Sequence, residues 1–240
     1  MKNNKPQTTF ERMEKKYVLQ NDQYFALLKR LQPYMQGDDY GLHTICSLYF
    51  DTDDYRIIRH SLDKPLFKEK LRLRSYGVPK PTDNVFLELK KKYDGITYKR
   101  RIALTLREAH RYLISHMPPR ENGQVFREID SFINQYAPAP KVLLCYDRLA
   151  LYGIDDPSLR ITFDANIRYR QYQLDLLKGD HGAALLSPDQ RIMEIKIHGA
   201  FPLWLSNLLT ELQIYPSSYS KYGRVFQDYV LQEQEAAHVG

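Results

Sequence analysis

Charged side chains recur at every second position in several short segments of this chain. Side chains alternate faces along a strand, so residues at i, i+2 and i+4 share a side. Arg12, Glu14 and Lys16 fall on one face, with Met13, Tyr17 and Leu19 on the other. Lys68, Lys70, Arg72 and Arg74 align against Leu71 and Leu73; Glu88, Lys90 and Lys92 align against Leu87 and Leu89. Lys99 and Arg101 oppose Ile102 and Leu104. Further on, Tyr146 and Arg148 share a face against Leu149, and Arg160, Thr162 and Asp164 oppose Leu159, Ile161 and Phe163. Glu194, Lys196 and His198 complete the pattern against Met193, Ile195 and Ile197.

A face that merely meets water would use Thr, Ser and Gln freely, whereas these slots are mostly Arg, Lys or Glu. Lys68, Lys70, Arg72 and Arg74 form an uninterrupted cationic row, and like charges side by side are destabilising unless water or an anion screens them. Arg offers a planar fork to phosphate oxygens and Lys a movable point charge. The pattern therefore points to an anionic, phosphate-rich ligand. If the charged faces close around an axis, the leucine-rich faces point outward and must be covered by helices. A lumen lined by both signs of charge holds water, ions or an anionic ligand, because unpaired buried charge is too costly.

The elements that must carry these rows follow from periodicity and punctuation. Phe10–Leu19 reads as a first strand, then Asn21 or Asp22 caps a helix through Met35, with Phe25, Leu28 and Leu31 at helical spacing. Leu42–Asp51 is the next strand, followed by a short helix from Asp53. Three strands lie between Leu66 and Leu106, and Asp94-Gly95 marks a tight hairpin. A helical insertion covers Leu106–His116 and about Asn122–Tyr136. Strands resume at Lys141–Leu151, Ser158–Tyr169 and Asp189–His198, and helices follow from Pro202 to Gln213 and from Tyr219 to Gln234. Leu27, Leu28, Leu31, Leu205, Leu208 and Leu209 are the apolar helix positions available to cover the sheet. The expected fold is α+β, a single domain over residues 1–240 with residues 1–9 and 235–240 frayed.

Composition agrees. Of 240 residues, 43% are hydrophobic and 27% charged, as in an ordinary folded domain. Lys and Arg number 35 against 29 acidic residues, a net charge of +6 that favours anionic partners. Nineteen tyrosines lean toward strands. Cys46 and Cys145 sit in apolar runs and read as buried thiols in a reducing compartment. With no apolar signal region at the start, and no run near the roughly 18 apolar residues of a membrane span, the expected location is the cytoplasm.

These segments, in order, resemble the VTC domain of polyphosphate polymerases, a branch of the triphosphate tunnel metalloenzyme superfamily. Arg12-Met-Glu14-Lys-Lys16-Tyr17 is similar to its R-x-E-x-K-Y strand and Ser47-Leu-Tyr49-Phe50-Asp51-Thr52 to its S-x-Y-F-D-T segment. Lys70-Leu-Arg72-Leu-Arg74-Ser-Tyr76-Gly77 resembles K-x-R-x-R-x-Y-G, Phe86-Leu-Glu88-Leu-Lys90 resembles F-x-E-x-K, and Lys99-Arg-Arg101 the basic pair after it. Arg160-Ile-Thr162-Phe-Asp164, Met193-Glu194-Ile-Lys196 and Ser220-Lys221-Tyr222 match R-x-T-x-D, the late E-x-K strand and the terminal S-K-Y.

The resemblance implies a closed eight-stranded antiparallel β-barrel, a triphosphate tunnel with helices packed outside. It implies Lys16, Arg72, Arg74, Lys90, Lys99, Arg101, Arg148, Arg160, Lys196 and Lys221 as phosphate ligands, with Lys70 in the same cationic row. Glu194 is the implied carboxylate for Mn2+ or Mg2+, supported by Glu14 and Glu88. Glu194, Lys221, Arg72 and Arg74 are the implied catalytic set. The implied reaction transfers the terminal phosphoryl group of ATP to polyphosphate. Arg12 stands where the cyclase and thiamine-triphosphatase branch carries the first acid of E-x-E-x-K, which disfavours that branch.

Hydrolysis of tripolyphosphate or a nucleotide triphosphate, and non-catalytic polyphosphate binding, stay open as alternatives, since nothing in the sequence fixes the acceptor. A nucleic-acid partner is disfavoured, because basic residues confined to strands make a poor surface for a duplex. No Walker A, GxSxG or HExxH pattern is present. Several residues have plainer readings. His198 is structural or solvated, Trp204 a packing anchor, Asp51, Asp53 and Asp54 a turn and helix cap, Lys91 an outer-surface residue. Asp164 can hold an arginine in position.

Overall fold

Alternation in the sequence becomes antiparallel ladders in the structure, a computed structural model that describes residues 12–94, 96–119 and 123–232. The long strands are β1 (Arg12–Gln20), β3 (His43–Asp51), β4 (Phe67–Tyr76), β5 (Asn84–Tyr93), β6 (Ile96–Thr105), β7 (Ala139–Gly153), β8 (Arg160–Arg170) and β10 (Gln190–His198). Two short strands, β2 (Met35–Gly37) and β9 (Ala183–Ala184), were not expected, because so few residues carry no readable period. The helices are α1 (Asn21–Leu31), α2 (Arg56–Leu62), α3 (Leu106–Ser115), α4 (Gln124–Tyr136), α5 (Leu203–Glu211) and α6 (Lys221–Val225), the last running into a π-helical turn at Phe226–Val230.

Strands hydrogen-bond in the order β1-β10-β8-β7-β3-β4-β5-β6, with β2 on β7 and β9 on β8. The expected α+β class with a large antiparallel sheet is present. Among the described residues no ladder joins β6 to β1, so the hydrogen bonds trace an open path where a closed barrel was expected.

The chain divides into two compact units. The first comprises Met1–Leu42, Arg148–Ala165 and Pro188–Tyr219. Its core joins Tyr17, Leu19, Ile161, Phe163, Met193, Ile195 and Ile197 of the strands to Leu27 and Leu31 of α1 and Leu205, Leu208 and Leu209 of α5. The second comprises His43–Asp147, Asn166–Ser187 and Ser220–Gly240. There Leu71, Leu73, Leu87, Leu89 and Leu104 pack against Ala109 and Tyr112 of α3 and Phe126, Ile129 and Phe132 of α4. In each unit the apolar strand face is covered by helices, and the opposite face is left to the charged rows.

Helix ends depart from the reading in instructive ways. α1 stops at Leu31 short of Met35: Gln32 still has helical geometry, at φ −52° and ψ −38°, but Pro33 after it has no amide to extend the helical hydrogen bonds. Its cap is Gln20, not Asn21 or Asp22, with the Gln20 amide donating to Gln23 Oε1 at 3.2 Å. The last helix begins at Lys221, not Tyr219, because Ser220 Oγ accepts from the Gly223 amide at 3.1 Å. At the β5–β6 hairpin Tyr93 pairs with Ile96, and Asp94 adopts φ +43°, as the first central position of a two-residue turn demands. Gly95, Phe10 and the two expected frayed ends lie outside the described residues.

Candidate functional site

Cross-strand register gathers the cations of the second unit. Arg72 of β4 sits opposite Glu88 of β5, which sits opposite Arg101 of β6; Lys70, Lys90 and Lys99 form the neighbouring row. The two rows share a face, since their positions differ by two residues on each strand.

Glu88 is the centre of this face and is 1% exposed. Arg72 donates to Glu88 Oε2 through Nε at 2.8 Å and lies within 2.7 Å through Nη2. Lys99 Nζ lies 2.6 Å from Oε1, Arg101 Nε 3.5 Å from Oε1, and Arg74 Nε 3.8 Å from Oε2. Burial pushes the carboxyl up, but Arg72, Arg74 and Lys99 outweigh it and hold the group down at about 2. One carboxylate thus faces four cations, leaving a surplus of positive charge on the face.

Neutral groups fix the guanidinium planes. Arg72 Nη1 donates to Tyr49 Oη at 3.0 Å, Arg74 Nε to Ser47 Oγ at 3.2 Å and Arg74 Nη2 to Tyr146 Oη at 3.1 Å. Arg101 lies 3.4 Å from the centroid of the Phe86 ring. Tyr49 feels the same field: burial pushes its phenol up, yet Arg72, Arg74 and Lys70 pull it down to about 8. Lys221, at the start of α6, places Nζ 4.6 Å from the Tyr146 ring centroid, and Lys70 donates to Ser220 Oγ at 3.2 Å. Asp51 anchors α6: it accepts from Tyr222 Oη at 2.8 Å and from the amides of Thr52, Ile57 and Ile58.

The first unit carries a different arrangement. Glu14 of β1 is in register with Lys196 of β10, and Lys16 with Glu194, so acids and bases alternate diagonally on one face. Lys16 Nζ lies 3.8 Å from Glu14 and 3.9 Å from Glu194; Lys196 lies 3.9 Å from Glu14 and pairs closely with Glu194. Burial raises the Glu194 carboxyl, but Lys196, Lys16 and Arg148 reverse this and drive it well below the usual carboxylate range. Arg148 is held by a two-pronged fork to Asp164, at 2.6 and 2.8 Å. Arg160 pairs with Asp38 at 3.6 Å and keeps about half its side chain exposed.

Glu14 and Glu194 are hard oxygen donors on adjacent strands, and their lysine partners are point charges on flexible stems. Mg2+ and Mn2+ are commonly held by one or two carboxylates together with substrate phosphate and water. The pair fits such an ion. Glu88, surrounded by Arg72, Arg74, Lys99 and Arg101, does not. Among the described residues no group of three His, Cys, Asp or Glu converges to form a cage by itself.

Residues 11–227 match the family model described as the VTC domain. The chain belongs to the VTC domain family. The fold of this VTC domain also recurs among solved structures at low identity. It is similar to a candidate adenylate cyclase from Bacillus halodurans at 14% identity and a TM-score of 0.55, over 91% of this chain and 96% of that one. It is similar to a candidate adenylyl cyclase from Hippeastrum, described as having a dominant triphosphatase activity, at 16% identity and a TM-score of 0.51, over 90% and 96%. No curated protein matches the chain. These likenesses show the fold alone, an α+β architecture built on a large antiparallel sheet.

Within this VTC domain, Lys70, Arg72, Arg74, Glu88, Lys90, Lys99, Arg101 and Lys221 belong to the second unit. Glu14, Lys16, Arg148, Arg160, Glu194 and Lys196 belong to the first. Sequence reading missed Ser47, Tyr49 and Tyr146 as supports for the two arginines. The β3–β4 ladder sets Ser47 opposite Arg74 and Tyr49 opposite Arg72, a pairing that the spacing within either strand does not carry. Trp204 stacks on Tyr34 with centroids 4.0 Å apart, a packing role. Lys91 pairs with Glu69 and Glu128 on the opposite strand face. No described helix is long and apolar enough to cross a membrane.

Proposed function

We propose that this VTC domain is a metal-dependent polyphosphate polymerase that moves the terminal phosphoryl group of ATP onto a polyphosphate chain. The observation that carries the reading is the surplus of fixed positive charge around buried Glu88, with Arg72 and Arg74 oriented by Tyr49, Ser47 and Tyr146. Phosphoryl transfer asks a protein mainly for alignment and charge neutralisation, and no covalent nucleophile is needed. The single-domain, closed-tunnel organisation belongs to this proposal, supported by a family match that runs through both units, and so does a cytoplasmic location.

Arg72 and Arg74 take the transferring phosphates as forks, while Lys70, Lys90, Lys99 and Arg101 neutralise the rest of the chain. Glu88 keeps these cations spread and oriented between turnovers, a positioning role and not that of a metal ligand. Lys16 and Lys196 leave Glu14 and Glu194 for phosphate oxygens as the substrate enters, and Arg148, Arg160 and Lys221 supply further charge. Glu194 and Glu14 would hold Mn2+ or Mg2+, which would supply charge neutralisation at phosphate oxygens. In the reaction a terminal oxygen of the chain forms the new P–O bond, the β–γ bridge of ATP breaks, and ADP leaves with the bond electrons.

The triphosphatase described for the Hippeastrum neighbour favours a second reading, hydrolysis of a triphosphate, in which water takes the place of the chain end. A product assay separates the two. ATP with Mn2+ should give acid-insoluble phosphate polymer, and Glu194→Gln should abolish it. ADP and orthophosphate alone would replace the polymerase with the hydrolase. No turnover together with tight tripolyphosphate binding would reduce the domain to a binding module.

A further inference from the structure

The cationic face of the second unit does not stop at Lys70. One side-chain repeat further along β4 stands Lys68, in register with Lys92 of β5, just as Lys70 is in register with Lys90. Lys64, in the loop between α2 and β4, joins them. Lys64, Lys68 and Lys92 line an open cleft of about 300 Å³ together with Pro65, Leu66 and Asp94. No carboxylate of the described residues forms an ion pair with any of the three lysines, although Asp94 lies on the rim. Lys68 makes one long contact, 3.4 Å to the Ser61 carbonyl. Burial, then the charges of Lys92 and Lys64, hold its ammonium below the usual lysine range.

This contrasts with the centre of the face, where Glu88 neutralises part of the charge. It also contrasts with the outer face of the same strands, where Lys91 is matched by Glu69 and Glu128. Three crowded lysines without a paired acid raise the energy of the free protein, and an anion relieves them. From Arg72 to Lys68 the strand advances about 13 Å, beyond the part of the face that the reacting phosphates occupy.

Resting on the polymerase or triphosphate-binding reading above, we infer that Lys64, Lys68 and Lys92 form a distal subsite for long inorganic polyphosphate, gripping units of the chain that a triphosphate does not reach. The subsite makes the domain selective for chain length: it adds affinity for a long polymer and none for tripolyphosphate.

The test compares long-chain polyphosphate with tripolyphosphate as competing ligands on the full chain, with chelator present so that no turnover occurs. For Lys68→Gln with Lys92→Gln, long-chain affinity should fall about tenfold or more. The slope of its logarithm against log salt should flatten by about 1.4, the value for two lost phosphate contacts on a single-stranded polyanion. Tripolyphosphate affinity should not change. Lys64→Glu, at an exposed loop position, should give the same selective loss and guards against misfolding of the double variant. The unliganded melting temperature should hold or rise as like-charge crowding is relieved. Unchanged long-chain binding would overturn the subsite, and so would an equal loss for both ligands, which would mean a diffuse field. A wild-type protein that binds neither ligand would instead remove the functional reading on which the subsite rests.

Discussion

Tyr49 reports the electrostatic state of the phosphate-facing strands at a single atom. Its hydroxyl accepts from Arg72, its ring lies 4.8 Å from that of Tyr222, and Arg74 and Lys70 add their fields. Other tyrosines move the opposite way: burial raises Tyr17, and burial with a neighbouring carboxylate raises Tyr112 and Tyr222. One phenolate should therefore appear near pH 8 in a near-ultraviolet titration, well before the rest, and vanish in Tyr49→Phe. A phosphate ligand on Arg72 and Arg74 offsets the field that stabilises the phenolate, so tripolyphosphate should delay this ionisation. By linkage, tripolyphosphate affinity should fall as pH rises through 8 in the wild type and fall less in Tyr49→Phe. A titration with no early phenolate would show that the two arginines do not bear on Tyr49.

At the scale of elements, β4, β5 and β6 are joined on their charged face by Glu88. Its folded-state pKa of about 2 lies below an unfolded value of about 4.3. A depressed carboxylate stabilises the fold fully above the unfolded value, and the stabilisation is lost as pH falls toward the folded value. The contribution is about 3 kcal/mol, lost between roughly pH 4 and pH 2. Glu88→Gln should therefore destabilise the protein at pH 7 by about 3 to 5 kcal/mol, because it strands buried cations, and should flatten the acid limb of its stability curve. Denaturant melts at pH 7 and pH 3 measure both effects; equal losses at the two pH values would contradict this role. Register is also why the sequence shows some of these features and hides others. Alternation along one strand is legible in residues 68–74 because Leu71 and Leu73 must be buried. Which residue of the next strand faces Arg72 is not, since spacing within a strand carries no cross-strand offset. The resemblance implied Glu88 as a supporting metal carboxylate, and the sequence alone does not show the four cations that surround it. Ser47, Tyr49 and Tyr146 were hidden for another reason: neutral side chains beside a charged row look like ordinary strand residues. The end of α1 was hidden by a helical period that continues past Pro33.

For the molecule as a whole, a net charge of +6 understates how unevenly charge is placed. The second unit concentrates Lys64, Lys68, Lys70, Arg72, Arg74, Lys90, Lys92, Lys99 and Arg101 on β4–β6 and the loop before β4, with Glu88 as the buried acid among them. Such an arrangement is under electrostatic strain when empty, and a polyanion should tighten it. A ligand that binds only the folded chain adds roughly 2.7 kcal/mol at about a hundred times its dissociation constant. For a chain of this size each kcal/mol shifts the melting temperature by about 2–4 °C, so tripolyphosphate should raise it by several degrees. High salt should shrink the shift by weakening the binding, because screened cations gain less from the ligand. The shift should be larger in Glu88→Gln at equal ligand concentration, since the added anion replaces the missing carboxylate. Thermal melts of the two proteins with and without tripolyphosphate form a complete cycle. A wild-type melt that does not move with ligand would refute a phosphate-binding face. A shift in Glu88→Gln no larger than in the wild type would place the bound phosphate away from the Arg72 cluster.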